Sequence, residues 1–130
     1  MIIVDTSVWV DYFNGKQSKE TDSLDALLGN QEVLLGDLIL TEILQGFQED
    51  RQFREAQHIL ESFPIVPMLG LSLAIQSAKT YRALRKRGVT VRKTIDVMIG
   101  TYCIEHHISL LYADRDFDPM VLYLGLRSVL

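Results

Sequence analysis

An α/β domain built around a largely parallel sheet is what this sequence predicts, and three observations predict it. Short β-branched or leucine-rich runs (MIIV, EVLLG, PIVPM, SLLYA) alternate with longer segments of helical periodicity, the pattern of strands joined through helices. The first of these runs, MIIV, has no polar face, as a strand covered on both sides requires. A length of 130 residues suits one domain with a sizeable core, so residues 1–130 are read as a single domain.

MIIV is the first strand, and TSVWVDYFNG continues as a short helix with Val8, Trp9, Tyr12 and Phe13 at helical spacing and Asn14-Gly15 closing it. Asp22 is the best cap for a second helix over SLDALLG, ahead of Thr21 and Ser23, with Gly29 as its stop. EVLLG then gives the second strand. Asp37 caps a helix over LILTEILQG, and another runs from about Arg51 to Ser62, where Pro64 forbids continuation. The two prolines of PIVPM place the third strand at a sheet edge. Ser72 caps the long LAIQSAKTYRALRKR helix, whose cationic last turn suits the helix dipole and which Gly88 stops. Thr94 caps a helix ending near His106 and His107, SLLYA is the fourth strand, Asp118-Pro119 starts a short helix, and LRSVL supplies a final strand.

Composition narrows the function classes. Hydrophobic residues at 48% and charged residues at 23% describe a folding globular chain. One cysteine, Cys103, forms no internal disulfide, and no leader-like or membrane-spanning apolar run appears, which favours a reducing cytoplasm and no membrane role. Net charge is −4, yet the interval between Glu61 and Asp96 holds no acid and seven basic residues: Lys79, Arg82, Arg85, Lys86, Arg87, Arg92 and Lys93. Such a run is either a solvated helix face or a surface that tracks phosphates. His58, His106 and His107 lack metal-ligand spacing, Trp9, Tyr12 and Phe13 read as core or dimer packing, and Cys103 reads as a buried structural thiol.

Right-handed crossovers bring strand C-terminal ends and the helix starts that follow them to one edge of a parallel sheet, where ligands bind. Asp5 ends the first strand, Asp114 ends the fourth, and Glu42 and Asp96 lie early in their helices, so four acids far apart in sequence share that edge. Asp116 and Asp118 follow closely and can join them. Each has a plain alternative: Asp5, Asp116 or Asp118 as a cap, Asp96 as a first-turn carboxylate favoured by the dipole, Glu42 at an exposed helical position. Together they form a like-charge cluster that a divalent cation would relieve, and an all-oxygen donor set favours Mg²⁺ or Mn²⁺ over Zn²⁺. Such ions share their ligands with phosphates, which makes phosphodiester chemistry the leading inference.

The stretches IIVDTSVWVDYF, LTEILQG, RKTIDVMIGTYCIEH and LLYADRDFDPM, in that order, resemble the motifs of PIN-domain ribonucleases of the VapC toxin type over essentially the whole chain. The resemblance implies a three-layer α/β/α sandwich with a mainly parallel sheet. It also implies a catalytic, metal-binding quartet of Asp5, Glu42, Asp96 and Asp114, with Asp116 as an accessory metal ligand. Thr6 and Ser7 fall at the small hydroxyl positions after the first Asp, where they hold a water on the metal or orient Asp5. Many members have Thr or His where this chain has Tyr112, a departure in the polar surroundings of Asp114. The implied activity is Mg²⁺- or Mn²⁺-dependent hydrolysis of RNA, leaving a 5′-phosphate and a 3′-hydroxyl. Its implied partners are a VapB-type antitoxin that blocks the acidic site with an inserted Arg, and a second toxin copy in a homodimer.

Arg92 and Lys93, just before the helix that carries Asp96, are placed to engage RNA phosphate, and the Lys79 to Arg87 helix extends that surface. Setting aside the five proposed metal-site acids leaves 12 of the 17 acidic residues against 13 basic ones, so the remainder of the chain is not acidic. Two rival readings stand beside this one. A Mg²⁺-binding phosphoacceptor signalling domain would want a Lys after a later strand, where this chain has Asp114-Arg115-Asp116. A non-catalytic PIN-like domain that binds RNA or protein has no need of the full quartet.

Overall fold

The branched residues Ile2–Val4 form β1, fully buried, at the centre of a sheet. The computed structural model describes residues 1–130. From β1 the chain passes through α1 (Thr6–Phe13) and α2 (Lys19–Leu27) to β2 (Val33–Gly36), then through α3 (Asp37–Gln45) and α4 (Asp50–Leu60) to β3 (Ile65–Val66). It continues through α5 (Leu71–Lys86) and α6 (Thr94–Glu105) to β4 (Ser109–Leu111), a 3-10 turn at Arg115–Phe117 and α7 (Asp118–Leu124). The strand order is β3-β2-β1-β4 and every pairing is parallel, with Ile3 opposite Leu34 on one side and Leu110 on the other.

Strand order therefore runs outward from β1 to β3 and then returns to the other side of β1. The reversal falls between β1 and β4, the kind of switch point at which parallel sheets bind ligands. Helices contact one another in two groups, α1 to α4 and α5 to α7, joined by an α3–α6 contact. This grouping is what right-handed crossovers running in opposite directions along the sheet produce. One core cluster of 25 buried residues, including Trp9, Leu35, Ile39, Leu60, Leu84, Ile99 and Phe117, fills the space between helices and sheet. Helix α6 is buried from Asp96 through Cys103 except at Met98, which explains a sequence that is apolar nearly all round.

β3 is an edge strand between Pro64 and Pro67, as its prolines require. The final LRSVL strand does not form: Ser128 makes one isolated parallel bridge to Leu110, and Arg127 O and Val129 N bond Leu110 on either side. Caps also differ from the expected ones. Ser18, not Asp22, Thr21 or Ser23, caps α2, because Ser18 and Thr21 satisfy each other's amides in a capping box and start the helix earlier. Asp37, Ser72 and Thr94 lie inside their helices, whose N-caps are Gly36, Gly70 and Lys93. The Asp37 carboxylate instead accepts the Met68 amide at 3.0 Å, tying the end of β3 to α3. Gly36 is needed where β2 turns into α3, since a Cβ there would overlap the Met68 side chain.

Candidate active site

Because β1 stops at Val4, Asp5 stands at the switch point, its amide donating to Leu111 O at 2.8 Å as the ladder's last rung with β4. Its Oδ2 accepts the Ser7 amide (3.0 Å) and hydroxyl (2.6 Å), capping α1. The Ser7 hydroxyl oxygen in turn accepts the Ala113 amide at 3.1 Å, so one side chain links the ends of β1 and β4. Thr6 donates its hydroxyl to Glu42 Oε1 at 2.7 Å, bringing the second turn of α3 to the same place. Thr6 and Ser7 thus orient Glu42 and Asp5.

Asp96 sits in the first turn of α6, nearly buried, and Asp114 follows β4. Asp114 Oδ1 accepts the Asp116 amide at 2.9 Å and so caps the 3-10 turn. The Lys93 ammonium lies 3.2 Å from Asp114 Oδ2 and 3.4 Å from Asp96 Oδ2. Arg92 grips Asp116 in a fork, Nη2 to Oδ1 at 2.7 Å and Nε to both oxygens at 3.2 Å. Both basic residues expected to meet RNA phosphate therefore face acids of the site. Asp118 accepts the Tyr112 hydroxyl at 2.7 Å, away from the others, and burial together with that carboxylate pushes the Tyr112 phenol up to about 12.

One open cavity of about 380 Å³ is lined by Asp5, Thr6, Ser7, Glu42, Lys93, Asp96 and Asp114, with Val10, Asp11, Lys16 and Ala113 completing its wall. An oxygen from each of Asp96, Asp114 and Asp116 lies within 4.8 Å of the other two. Burial raises the Asp5 carboxyl, against the pull of the Ser7 hydrogen bonds. Burial and the Asp5 carboxylate push Asp96 up to about 6, with Lys93 opposing. At Asp114 burial is outweighed by the Asp116 amide, Lys93 and Arg92, so its carboxyl is held below the ordinary value. The cavity thus holds carboxylates of opposite tendency side by side.

A family profile for the PIN domain matches residues 2–120, an interval that contains every acid of this cavity. Ribonuclease VapC11 of Mycobacterium tuberculosis is 30% identical over 133 aligned positions, covering 98% of this chain and 97% of that protein. The chain belongs to the PIN-domain family, in its VapC branch. A second PIN-domain relative, ribonuclease VapC1 of Methanocaldococcus jannaschii, is 31% identical over 90 residues, covering 69% of this chain and 59% of that protein. VapBC2 from Rickettsia felis, solved bound to a DNA fragment from their promoter, shares the fold with a TM-score of 0.78 at 16% identity, covering 98% and 97% of the two chains. VapC20 of Mycobacterium tuberculosis, a sarcin-ricin loop cleaving toxin, does so at 0.66 and 17%, covering 91% and 93%.

The donor chemistry of this PIN domain fits a divalent cation. Asp5 Oδ1 and Asp96 Oδ2 are buried and accept no hydrogen bond, and of the two only Asp96 Oδ2 has a cation beside it, the half-exposed Lys93 ammonium at 3.4 Å. This is a costly arrangement for two neighbouring carboxylates that a divalent cation would relieve. All donors are oxygens, which suits a hard ion. Asp11 and Lys16, ion-paired at 3.7 Å on the cavity wall, had not been singled out from sequence. Asp11 did carry a signal, since it lies four residues after Ser7 on the same face of α1. Lys16 carried none, because the loop beyond α1 sets its position. Cys103 is buried, and that burial pushes its thiol up to about 12, in keeping with a packing role.

Proposed function

We propose that this PIN domain is a metal-dependent endoribonuclease of the VapC toxin type, hydrolysing RNA phosphodiester bonds to leave a 5′-phosphate and a 3′-hydroxyl. The observation that carries the reading is the pair of buried oxygens that accept no hydrogen bond, Asp5 Oδ1 with no partner and Asp96 Oδ2 with the Lys93 ammonium at 3.4 Å, in a cavity that Glu42 and Asp114 also line. Asp5, Glu42, Asp96 and Asp114 hold Mg²⁺ or Mn²⁺, with Asp116 as an accessory ligand. When bound, the cation acidifies water and offsets the charge that develops on the phosphate. Thr6 and Ser7 fix the rotamers of Glu42 and Asp5, so that these carboxylates need no reordering when the site fills. Lys93 and Arg92 stand at the rim beside Asp114 and Asp116, where a phosphate backbone crossing the cavity meets positive charge.

A VapB-type antitoxin is the partner this reading entails, together with a second copy of the chain and a cytoplasmic setting. In support, a cavity of about 340 Å³ with a mixed wall, in which Phe13, Ile43 and Phe47 stand beside Asn14, Gln48 and Glu49, adjoins the acidic one, and Val10 lines both. A segment seated in that cavity would meet Val10, which the acidic cavity shares. No helix is long and apolar enough to cross a membrane. Neither the non-catalytic nor the phosphoacceptor reading gains support from the cavity.

The test is cleavage of cellular RNA with Mg²⁺ or Mn²⁺ by wild type, Asp5→Asn and Asp96→Asn. Loss of about 100-fold or more in rate, with folding retained, is expected of each variant, because each removes cation-binding charge while relieving repulsion. Undiminished cleavage by both variants would sink the assignment.

A further inference from the structure

Lys93 differs from every other cation near the cavity. Its ammonium touches two acids of the proposed quartet at once, Asp114 Oδ2 at 3.2 Å and Asp96 Oδ2 at 3.4 Å. Arg92 is committed to Asp116, and Lys16 to Asp11. The Asp96 side chain is 6% exposed and that of Lys93 51%, so the ammonium reaches inward from solvent on a stem that is free to swing back. Its backbone is fixed as the N-cap residue of α6, three residues before Asp96 on that helix.

A divalent cation brings twice the charge of an ammonium and binds carboxylate oxygens at about 2.0–2.6 Å, closer than any ammonium approaches. The Asp96 oxygen it would take is the buried one that accepts no hydrogen bond, and that oxygen faces Lys93. An ammonium and a dication set against the same two oxygens repel each other, so each weakens the other's hold on them. We propose that Lys93 competes with the divalent cation for Asp96 and Asp114, and that cation binding turns its ammonium out to the cavity mouth, where it meets the RNA phosphate. This inference rests on the reading of the cavity as a cation site. It makes Lys93 a positioning residue with two successive partners, internal carboxylates before loading and substrate phosphate after it.

The competition gives opposite signs to two measurements on one variant. With Mn²⁺ alone as the probe, calorimetric titration of Lys93→Met should show binding about fivefold tighter than wild type, the gain expected when a half-exposed ion pair no longer opposes the ligand. The same variant should bind a non-cleavable RNA more weakly in the presence of Mn²⁺. Lys93→Arg, which keeps the charge, should bind Mn²⁺ within about twofold of wild type. Because Lys93 is half exposed, the Met variant folds, and its melting temperature after chelation should lie below that of wild type, with Mn²⁺ closing the gap. Mn²⁺ binding by Lys93→Met that is unchanged or weaker, beside a wild type that binds, would overturn the role given to Lys93 alone. Failure of wild type and variants alike to bind Mn²⁺ would overturn the cation-site reading, and this proposal with it.

Discussion

Asp5 uses its two oxygens for different ends. Oδ2 caps α1 through Ser7, while Oδ1 is buried without a partner in the acidic cavity. The cap reading and the site reading of this residue, rivals in the sequence, describe one side chain, and no local pattern separates them because the same geometry serves both. Removing the hydroxyls that hold these acids should cost about 10- to 100-fold in Mn²⁺ affinity or cleavage for Thr6→Val, checked by titration and rate. Asp96 predicts a pH dependence with a definite sign. Its folded value of about 6 stands above the ordinary 3.8, so between those values the folded chain holds this proton more tightly than the unfolded chain does. The stability of chelated protein should therefore fall as pH rises from about 4 through about 6, read as melting temperature in EDTA. Mn²⁺ binding should weaken on acidification below about pH 6, since the cation requires the carboxylate.

At the scale of elements, existence and type were legible for all but the C-terminal LRSVL, and ends were not. Strand runs and helical periodicity placed β1 to β4 and α1 to α7 because burial imposes those periods on the chain. The expected caps at Asp37, Ser72 and Thr94 fell inside their helices, and the residues at the N-caps, Gly36, Gly70 and Lys93, make no side-chain cap bond. Asp37 has a use that no local pattern signals, since its carboxylate serves Met68 thirty-one residues away. The C-terminal LRSVL has strand composition, yet it meets β4 through a single bridge. Gly36 is the junction most sensitive to change. A methyl group at that position meets Met68, so Gly36→Ala should destabilise by about 1–3 kcal/mol, visible as a lower urea midpoint with unchanged slope.

The whole molecule resolves an apparent contradiction between acidic net charge and a nucleic-acid substrate. Its charge of −4 reflects carboxylates gathered at the sheet's switch point, while Lys79, Arg82, Arg85, Lys86 and Arg87 stand exposed along and just after α5. Two of these cations also cover aromatic rings, Arg85 over Tyr81 and Arg87 over Tyr123. RNA binding should weaken as salt rises, and Arg82→Glu combined with Lys86→Glu should weaken it further, with a flatter salt dependence and unaltered Mn²⁺ affinity. The convergence of four acids was legible because topology alone sends strand ends and helix starts to one edge. The ion pairs of Arg92 and Lys93 with those acids were not legible, because they depend on how the loop after α5 folds back over the end of β4.

The bond from the Asp5 amide to Leu111 O has a consequence for how long the protein stays dangerous once made. It anchors the site in the central strand pair, and Ser7 stitches the same two strands together just beyond. Fraying of the C-terminus or of a distant loop leaves both links in place, so drawing Asp5 out of the site by thermal motion takes the opening of the central strand pair itself. The position of Asp5 then lasts as long as the folded chain, and restraint has to come from something that covers the cavity.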